Sequence, residues 1–229
     1  MLGWQPAMTP TERDKFRERI RVADGFVSRA ACAEIVRSVN LTALRDATVA
    51  DEASEQGRVD KTVRNVLVHD SRPVGLQVNS TLQRIVDELI QPFYQLKIDY
   101  WELPDILIYP PGGFYVPHND AEGVVHDEER FVWEWRRTAD RDISVVWYLN
   151  DDFDGGELVF LPLQLAIRPA TGMVVTFPST HEYAHTAKPV ISGMRYALVT
   201  WMAGVGTPRV QLTPPARVQN RSWQPPEGL

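Results

Sequence analysis

The chain has 229 residues and a formal net charge of −6 at pH 7, with arginine and lysine scattered along it. A chain of this length can bury a sizeable core, so residues 1–229 are predicted to form one domain. The lack of a basic stripe argues against a nucleic-acid partner.

Other features of the composition concern redox state and membranes. Cys32 is the only cysteine, which excludes an internal disulfide. No apolar run reaches the roughly 18 residues of a membrane span, and the first residues lack the apolar stretch of a signal peptide. We therefore expect a soluble, cytoplasmic protein without a membrane partner.

Helices dominate the predictions for the first hundred residues. Residues 1–14 are expected to form a surface arm, although Thr9 or Thr11 is suited to cap a helix within it. Ser28 follows a short apolar strand and is predicted to cap a second helix, whose apolar residues recur about every 3.6 positions. Residues 46–63 are polar and irregular and are predicted to be a loop, and another helix is predicted over 78–94.

Short β-rich segments follow from Tyr100 onward, separated by proline, glycine, asparagine and aspartate. This pattern predicts an antiparallel sandwich or barrel rather than a parallel sheet. The predicted fold is therefore mainly β with supporting α-helices: a jelly roll, or double-stranded β-helix, with N-terminal helices packed on it. The proline-rich residues 205–229 are predicted to form an extended strap that cannot continue a β-ladder.

A pair of metal-ligating residue types ends the segment Y-P-P-G-G-F-Y-V-P-H-N-D. On an extended segment His118 and Asp120 project from one face, so both can reach a single ion. His181 and His185 are candidates for a third ligand, and His126 competes with them, although its polar loop is a poor place to hold metal geometry. Two histidines and one carboxylate with the opposite face open suit a non-haem iron(II) oxygenase.

Several other polar residues have ordinary structural explanations. His69 is expected to be a surface or core histidine rather than a ligand. No general acid or base is assigned. Solvated or turn positions are expected for four acidic residues: Glu102, Asp151, Asp152 and Glu157.

An acidic and then aromatic insertion occupies residues 121–140, directly after the ligand pair. Loops at the mouth of a rigid scaffold usually carry specificity, so the insertion is predicted to be a substrate lid. Tyr115, Trp133 and Trp135 are candidate substrate contacts, although the two tryptophans could instead only pack the insertion down. A positively charged substrate would be favoured by four acidic residues: Glu122, Asp127, Glu128 and Glu129.

Four segments, in chain order, carry a resemblance to a known family. They are Y-P-P-G-G-F-Y-V-P-H-N-D, R-D-I-S-V-V-W-Y-L-N-D-D-F-D-G-G-E-L-V-F, R-P-A-T-G-M-V-V-T-F-P-S and H-T-A-K-P-V-I-S-G-M-R-Y-A-L-V-T-W. Together they resemble the 2-oxoglutarate- and iron(II)-dependent dioxygenases of the prolyl 4-hydroxylase type. The resemblance covers roughly residues 105–202, with weaker similarity back to about Val22.

The resemblance implies a metal site. His118, Asp120 and His185 would bind Fe(II), because His185 is the histidine followed by P-V and then by G-M-R. It implies that His126 and His181 are dispensable. An aspartate at position 120 is implied to favour hydroxylation, since halogenating relatives have a small residue there.

The resemblance also implies a site for 2-oxoglutarate. Arg195 would pair with the distal carboxylate of 2-oxoglutarate, because a planar guanidinium can donate two parallel hydrogen bonds to it. Tyr148 would join this contact, and Tyr109 would lie near the keto acid. The alternative for both tyrosines is an ordinary inward-facing aromatic of the barrel.

The implied activity is hydroxylation of an unactivated C–H bond, coupled to conversion of 2-oxoglutarate and O2 to succinate and CO2, with ascorbate as a candidate further reductant. The expected substrate is a prolyl or other amino-acid residue in a peptide, or a free or carrier-linked small molecule derived from an amino acid. Two alternatives stay open: a cupin-type metal-dependent isomerase or dioxygenase that does not use 2-oxoglutarate, and a non-catalytic jelly-roll binding module. The first would have no need for Arg195 and Tyr148, and the second would show a broken triad. The oligomeric state is not indicated.

Overall fold

The structure is a computed structural model that describes residues 8–51, 54–210 and 218–219. Its helices are α1 (Pro10–Arg17), α2 (Arg29–Arg37), α3 (Gly75–Ile85) and α4 (Gln91–Tyr94), with a π-helical turn, Val86–Ile90, joining the last two. The N-terminal strands are β1 (Arg21–Ala23), β2 (Arg45–Asp46), β3 (Val49–Asp51), β4 (Ser54–Arg58), β5 (Arg64–Asn65) and β6 (Leu67–Asp70).

The remaining strands lie in the second half of the chain. They are β7 (Ile98–Glu102), β8 (Asp105–Tyr109), β9 (Phe114–His118), β10 (Glu122–Asp127), β11 (Val132–Arg137), β12 (Ile143–Tyr148), β13 (Asp154–Gly155), β14 (Leu158–Phe160), β15 (Leu165–Ile167), β16 (Val174–Pro178), β17 (His185–Ala187), β18 (Val190–Ser192), β19 (Arg195–Gly204) and β20 (Val218–Gln219).

Two antiparallel sheets form the body of the protein. The larger runs in the order β1-β16-β12-β19-β8-β6-β2, with β7 also pairing with β19 and β20 pairing with β7. The smaller runs in the order β15-β14-β17-β9-β5. The predicted mainly β fold, a jelly roll with N-terminal helices, is confirmed.

The larger sheet is buried on both faces, as strand β12 illustrates. Its odd-numbered side chains, Ile143, Val145 and Trp147, belong to one apolar cluster with residues of α2 and α3. Val146 and Tyr148 belong to a different cluster, on the side away from those helices. Because successive side chains of a strand point to opposite faces, α2 and α3 cover one face of this sheet, and the smaller sheet lies against the other.

The π-helical turn explains how a helix continues through a proline. Pro92 lacks the N–H that would bond one turn back, and its ring crowds the carbonyl of that turn. The turn Val86–Ile90 lies immediately before this position, and the N–H of Gln91 donates to the Val86 carbonyl. A local i→i+5 turn therefore absorbs the break, and the predicted helix over 78–94 continues to Tyr94.

The predicted loop over 46–63 is wrong between residues 49 and 58, where β3 pairs with β4 as an antiparallel hairpin. Backbone hydrogen bonds form this pairing and do not require apolar and polar residues to alternate. The sequence therefore contains no pattern that would have revealed the hairpin. Gly57 has a φ of 71°, and a side chain there would collide with the carbonyl of Val49.

Residues 10–14 of the predicted surface arm belong to α1, a helix without buried residues, and the predicted cap at Thr9 is confirmed. Thr9 caps that helix and forms a reciprocal capping box with Glu12. Residue Phe16 of the helix packs against the core, as does Met8 before it. Residues 1–7 of the predicted arm lie outside the described residues.

The predicted C-terminal strap follows β19, and part of it contradicts the prediction. Val218–Gln219 pairs antiparallel with Trp101–Glu102, so the chain does return to the ladder after its prolines. Closer to β19, Arg209 donates to Asp99 at 3.0 Å and the N–H of Val210 donates to Asp140 at 2.7 Å. Residues 211–217 and 220–229 lie outside the described residues.

No helix in the part of the chain that the structure describes is long and apolar enough to cross a membrane. The assignments of residues 1–229 to one domain and of the protein to the cytoplasm stay predictions.

Gly172 should be intolerant of a side chain. Its φ is 80°, and a Cβ would collide with the carbonyl of Val27, whose N–H donates to the Gly172 carbonyl at 3.1 Å. We expect Gly172→Ala to lower the free energy of unfolding by about 2–5 kcal/mol, from left-handed backbone strain plus overpacking. Gly25→Ala is the matched control, since Gly25 has a φ of 59° and nothing within 4 Å of the added atom. If urea unfolding shows the same loss of unfolding free energy for both variants, the contact between the added Cβ and the Val27 carbonyl does not destabilise the protein.

Candidate metal centre

The register of two strands brings the predicted ligands together. His118 at the end of β9 lies directly opposite His185 at the start of β17. Asp120 follows β9 by two residues, and its two carboxylate oxygens lie 3.7 Å from Nε2 of His118 and 3.8 Å from Nε2 of His185. One ligand atom from each of the three residues lies within 4.8 Å of the others.

Hydrogen bonds outside the triad fix which atoms face its centre. Nδ1 of His118 donates to the carbonyl of Val116 at 2.9 Å, and Nδ1 of His185 donates to the carbonyl of Tyr183 at 3.0 Å. A carbonyl can only accept, so each ring carries its proton on Nδ1 and leaves the Nε2 lone pair available.

The carboxylate of the triad is oriented by a serine pair. Oδ2 of Asp120 accepts from the Ser144 hydroxyl at 2.6 Å, and Ser144 lies 2.8 Å from the hydroxyl of Ser179. Such contacts outside the ligand shell hold a ligand in the orientation that a metal requires.

The electrostatics of the triad favour a cation at its centre. Burial and the neighbouring His185 lower the pKa of His118 to about 3, so its imidazole is neutral at pH 7. Burial by itself would raise the pKa of Asp120, but His185, His118 and the Ser144 hydrogen bond hold it below the ordinary value. The neutral His118 imidazole and the Asp120 carboxylate can therefore bind a cation without losing a proton.

The triad opens into a cavity of about 790 Å³. The side chains of Asp120 and His185 are 7% and 8% exposed, while that of His118 is 19% exposed. Three ligands on one side of a site with open space on the other fit non-haem iron(II), which keeps positions free for further ligands.

A buried arginine shares this cavity. Arg195 on β19 lies opposite Tyr109 on β8 and is 3% exposed, with its guanidinium carbon 3.6 Å from the centre of the Tyr109 ring. Its Nη1 donates to the carbonyl of Gly156 at 2.7 Å, while Nε is buried and has no hydrogen-bond partner among the described atoms. A buried charge in this state is costly, and its planar donors suit a carboxylate.

Tyr148 completes this end of the cavity. Its ring centre lies 5.8 Å from the Arg195 guanidinium, and burial raises its pKa to about 12. The hydroxyl therefore keeps its proton and can donate to an anion. The group of Arg195, Tyr109 and Tyr148 fits the carboxylate of a 2-oxo acid.

The candidate substrate contacts separate into two groups. Tyr115 lines the cavity and stacks on His118, with ring centres 3.6 Å apart. Trp133 is 69% exposed on hairpin strand β11, and Trp135 stacks on His181 with ring centres 4.9 Å apart. Neither tryptophan is among the described residues that line the cavity, so a role for them in contacting substrate stays a prediction.

The other histidines lie apart from the triad. Nδ1 of His181 lies 2.6 Å from the Glu122 carboxylate; burial alone would lower the pKa of His181, but this contact raises it. His126 lies on the hairpin beside Trp133. His69 is buried and accepts from the N–H of Asn40 at 3.1 Å, as expected of a core histidine.

The acidic residues of the insertion do not face the cavity as free charges. Residues 122–137 form the hairpin β10–β11 rather than a loop. Asp127 pairs with Arg130 and Arg136, and Glu122 pairs with His181. Glu128 and Glu129 are exposed and do not line the cavity among its described residues. The expected preference for a positively charged substrate therefore loses its basis.

Sequence reasoning missed an ion pair next to the triad. Glu102, expected to be solvated, accepts from Nε and Nη2 of Arg141 at 2.6 and 3.0 Å. The Arg141 guanidinium lies 3.7 Å from the centre of the Trp201 ring and donates to the backbone carbonyl of Asp120. No spacing signal links residues so distant in the chain, because the sheet pairing brings them together.

Comparison with known proteins identifies the matched region. Residues 104–203 match the model of the 2OG-Fe(II) oxygenase superfamily. The chain is 26% identical over 209 residues to prolyl 4-hydroxylase 1 of Arabidopsis thaliana, covering 80% of this chain and 68% of that protein. It is 39% identical over 66 residues to prolyl 3-hydroxylase 2 of Mus musculus, of whose length it covers only 9%.

Solved structures share the fold at lower identity. A viral collagen prolyl hydroxylase from Paramecium Bursaria Chlorella virus-1, in complex with 2OG, has a TM-score of 0.59 and 21% identity over 80% of this chain and 95% of that one. A Pseudomonas putida prolyl-4-hydroxylase has a TM-score of 0.56 and 22% identity over 85% and 97%. The triad and Arg195 lie within residues 104–203, the part of the chain that matches the 2OG-Fe(II) oxygenase superfamily, and the chain is similar to prolyl 4-hydroxylases.

Proposed function

We propose that this protein hydroxylates a prolyl residue of a peptide, with Fe(II) as cofactor and 2-oxoglutarate and O2 as co-substrates. The observation that carries the proposal is the buried Arg195, which lacks a carboxylate partner among the described residues and lines the same cavity as the complete triad. The prolyl substrate is supported by the similarity to prolyl 4-hydroxylase 1 of Arabidopsis thaliana.

Each part of the site has a separate task. His118, Asp120 and His185 would hold Fe(II) from one side, and Arg195 with Tyr148 would hold the distal carboxylate of 2-oxoglutarate. Fe(II), when bound with 2-oxoglutarate and O2, supplies the oxidising power for C–H hydroxylation, with succinate and CO2 as co-products. Part of the cavity lining is apolar and would limit the access of water to the reaction. These residues are Val146, Leu158, Ala187 and Val199.

The two alternatives account for less of the site. A cupin-type enzyme that does not use 2-oxoglutarate would leave Arg195 as a buried charge without a ligand. A non-catalytic binding module would not need two histidines with their Nε2 atoms turned towards one carboxylate.

Turnover is tested with a panel of proline-containing peptides, Fe(II) and 2-oxoglutarate. We expect succinate to form in proportion to peptide that has gained one oxygen atom, and Asp120→Ala to abolish both products. Succinate release without peptide oxidation across the panel would contradict the prolyl substrate, and oxidation that needs no 2-oxoglutarate would favour the cupin-type alternative.

Iron binding should separate the two downstream histidines. We expect His185→Ala to lose bound iron and His181→Ala to retain it, because Nε2 of His185 lies beside Asp120 whereas His181 pairs with Glu122. Ser144→Ala should weaken iron binding by about 10–100-fold, since it removes the hydrogen bond that orients the carboxylate. Metal content after dialysis gives the measurement, and iron retained by His185→Ala but lost by His181→Ala would refute the ligand set.

Arg195 should determine affinity for 2-oxoglutarate. We expect Arg195→Ala to weaken binding by about 1.5–3 kcal/mol, the range for a charged hydrogen bond. Arg195→Lys should retain part of it, and iron affinity without co-substrate should be unchanged in both. Calorimetric titration provides the measurement, and wild-type affinity in a folded Arg195→Ala protein would remove the basis of the proposal.

The hairpin over 121–140 is proposed to act as the substrate lid. Residues 122–125 line the cavity, and the contact between Glu122 and His181 fixes its base. With 2-oxoglutarate and an inert metal present, hydrogen exchange in the hairpin should slow when a substrate peptide is added. Identical exchange with and without peptide, together with normal turnover by Trp133→Ala, would leave the hairpin as an ordinary surface element.

A further inference from the structure

Besides Arg195 and Arg141, Arg64 also lines the cavity, on the strand that pairs with β9 on the side away from β17. Arg64 begins β5, the edge strand of the smaller sheet, and lies opposite Tyr115 on β9. Its guanidinium carbon is 4.7 Å from the centre of the Tyr115 ring, and that ring is stacked on His118. Arg64, Tyr115 and His118 thus form a column that leads from the cavity wall to the metal centre.

The bonding of Arg64 is incomplete. Nη1 donates to the carbonyl of Thr48 at 3.1 Å, which fixes one end of the guanidinium. Nε is buried and has no hydrogen-bond partner, and no carboxylate pairs with this arginine among the side chains that the structure describes. Arg141, by contrast, is paired with Glu102 in the same cavity wall.

The other charges of the cavity leave Arg64 uncompensated. The acidic residues in the described lining are Asp120, which would be neutralised by the metal, and Glu122, which is paired with His181. Arg195 lies on the larger sheet and is assigned to 2-oxoglutarate. A positive charge therefore remains beside Tyr115 once the metal and the co-substrate are bound.

We propose that Arg64 and Tyr115 form a subsite for a carboxylate of the substrate, so that the enzyme selects a peptide with an anionic group next to the prolyl residue. The proposal rests on the proposed function. Arg64 offers the donors of a planar fork, and Tyr115, whose ring lies against the guanidinium, offers a hydroxyl that can donate a hydrogen bond. Consecutive residues of a peptide are about 3.8 Å apart, and the Tyr115 ring is one aromatic layer beyond the metal ligand His118. When a prolyl residue lies at the metal, a carboxylate on the adjacent residue can therefore reach Tyr115 and Arg64.

Two sources of carboxylate fit this chemistry: the C-terminus of a peptide and an acidic side chain. Four probes separate them: acetyl-Ala-Pro-Gly with a free C-terminus, the same peptide as a carboxamide, and the carboxamides acetyl-Ala-Pro-Asp and acetyl-Ala-Pro-Asn. Binding is measured by calorimetry to the full chain with Mn(II), one equivalent of 2-oxoglutarate and no oxygen. A single equivalent leaves little free dicarboxylate to compete with the probes for Arg64.

We expect at least one carboxylate probe to bind about tenfold or more tightly than its neutral match, and Arg64→Gln to abolish this preference. Arg64→Lys should retain part of it, because the charge remains but the fork is lost. Arg72→Gln is the control, since Arg72 is 77% exposed, pairs with Asp70 and does not line the cavity in the described residues. It should bind all four probes as the wild type does.

The outcomes distinguish this proposal from the function on which it rests. If 2-oxoglutarate binds normally but the matched probes bind equally, or none binds measurably, the carboxylate subsite is refuted while the proposed function stands. If the preference survives in Arg64→Gln, another residue recognises the carboxylate and the assignment to Arg64 is wrong. If 2-oxoglutarate itself fails to bind, the proposed function fails, and the same probes titrated without it still report on Arg64.

Discussion

The antiparallel register of neighbouring strands is the constraint on which the site depends. One register places His185 opposite His118 in the smaller sheet, and another places Arg195 opposite Tyr109 in the larger sheet. A slip of one residue in either pairing would turn the functional side chain to the other face of its sheet. The apolar contacts that fix the register are therefore also what assembles the metal centre and the arginine in one cavity.

Charge balance explains why this cavity should bind anions next to a metal. The described acidic groups around it are either ligands of the triad or paired with basic residues, whereas two arginines keep unused donors. A fold stabilised only by its own contacts gains nothing from burying a guanidinium nitrogen without a hydrogen-bond partner, as both arginines do at Nε. The cavity is thus better understood as a site prepared for ligands that bring the missing negative charge.

The sequence was most informative where chemistry recurs at short spacing. His118 and Asp120 are two residues apart, and the resemblance carried by the G-M-R segment after His185 added that histidine and Arg195, so residues that the fold brings to one cavity could be named in advance. The short β-rich segments predicted the mainly β fold. Contacts between distant residues could not. The pairing of Glu102 with Arg141, the support of Asp120 by Ser144 and the exposure of Trp133 all depend on how strands pair, and local pattern carries no record of that. The acidic insertion was misleading because Asp127 pairs with Arg136 on the facing hairpin strand and with Arg130 in the turn, while Glu122 pairs with His181.

The central claim is that one cavity binds both the metal and 2-oxoglutarate, and their thermodynamic coupling tests it most directly. Calorimetry without oxygen gives the affinity for 2-oxoglutarate with and without Mn(II), and the affinity for Mn(II) with and without 2-oxoglutarate. The account predicts that each ligand increases the affinity for the other by the same factor, about 5–150-fold, because the coupling free energy is reciprocal. Affinities that do not depend on the other ligand would contradict a shared site.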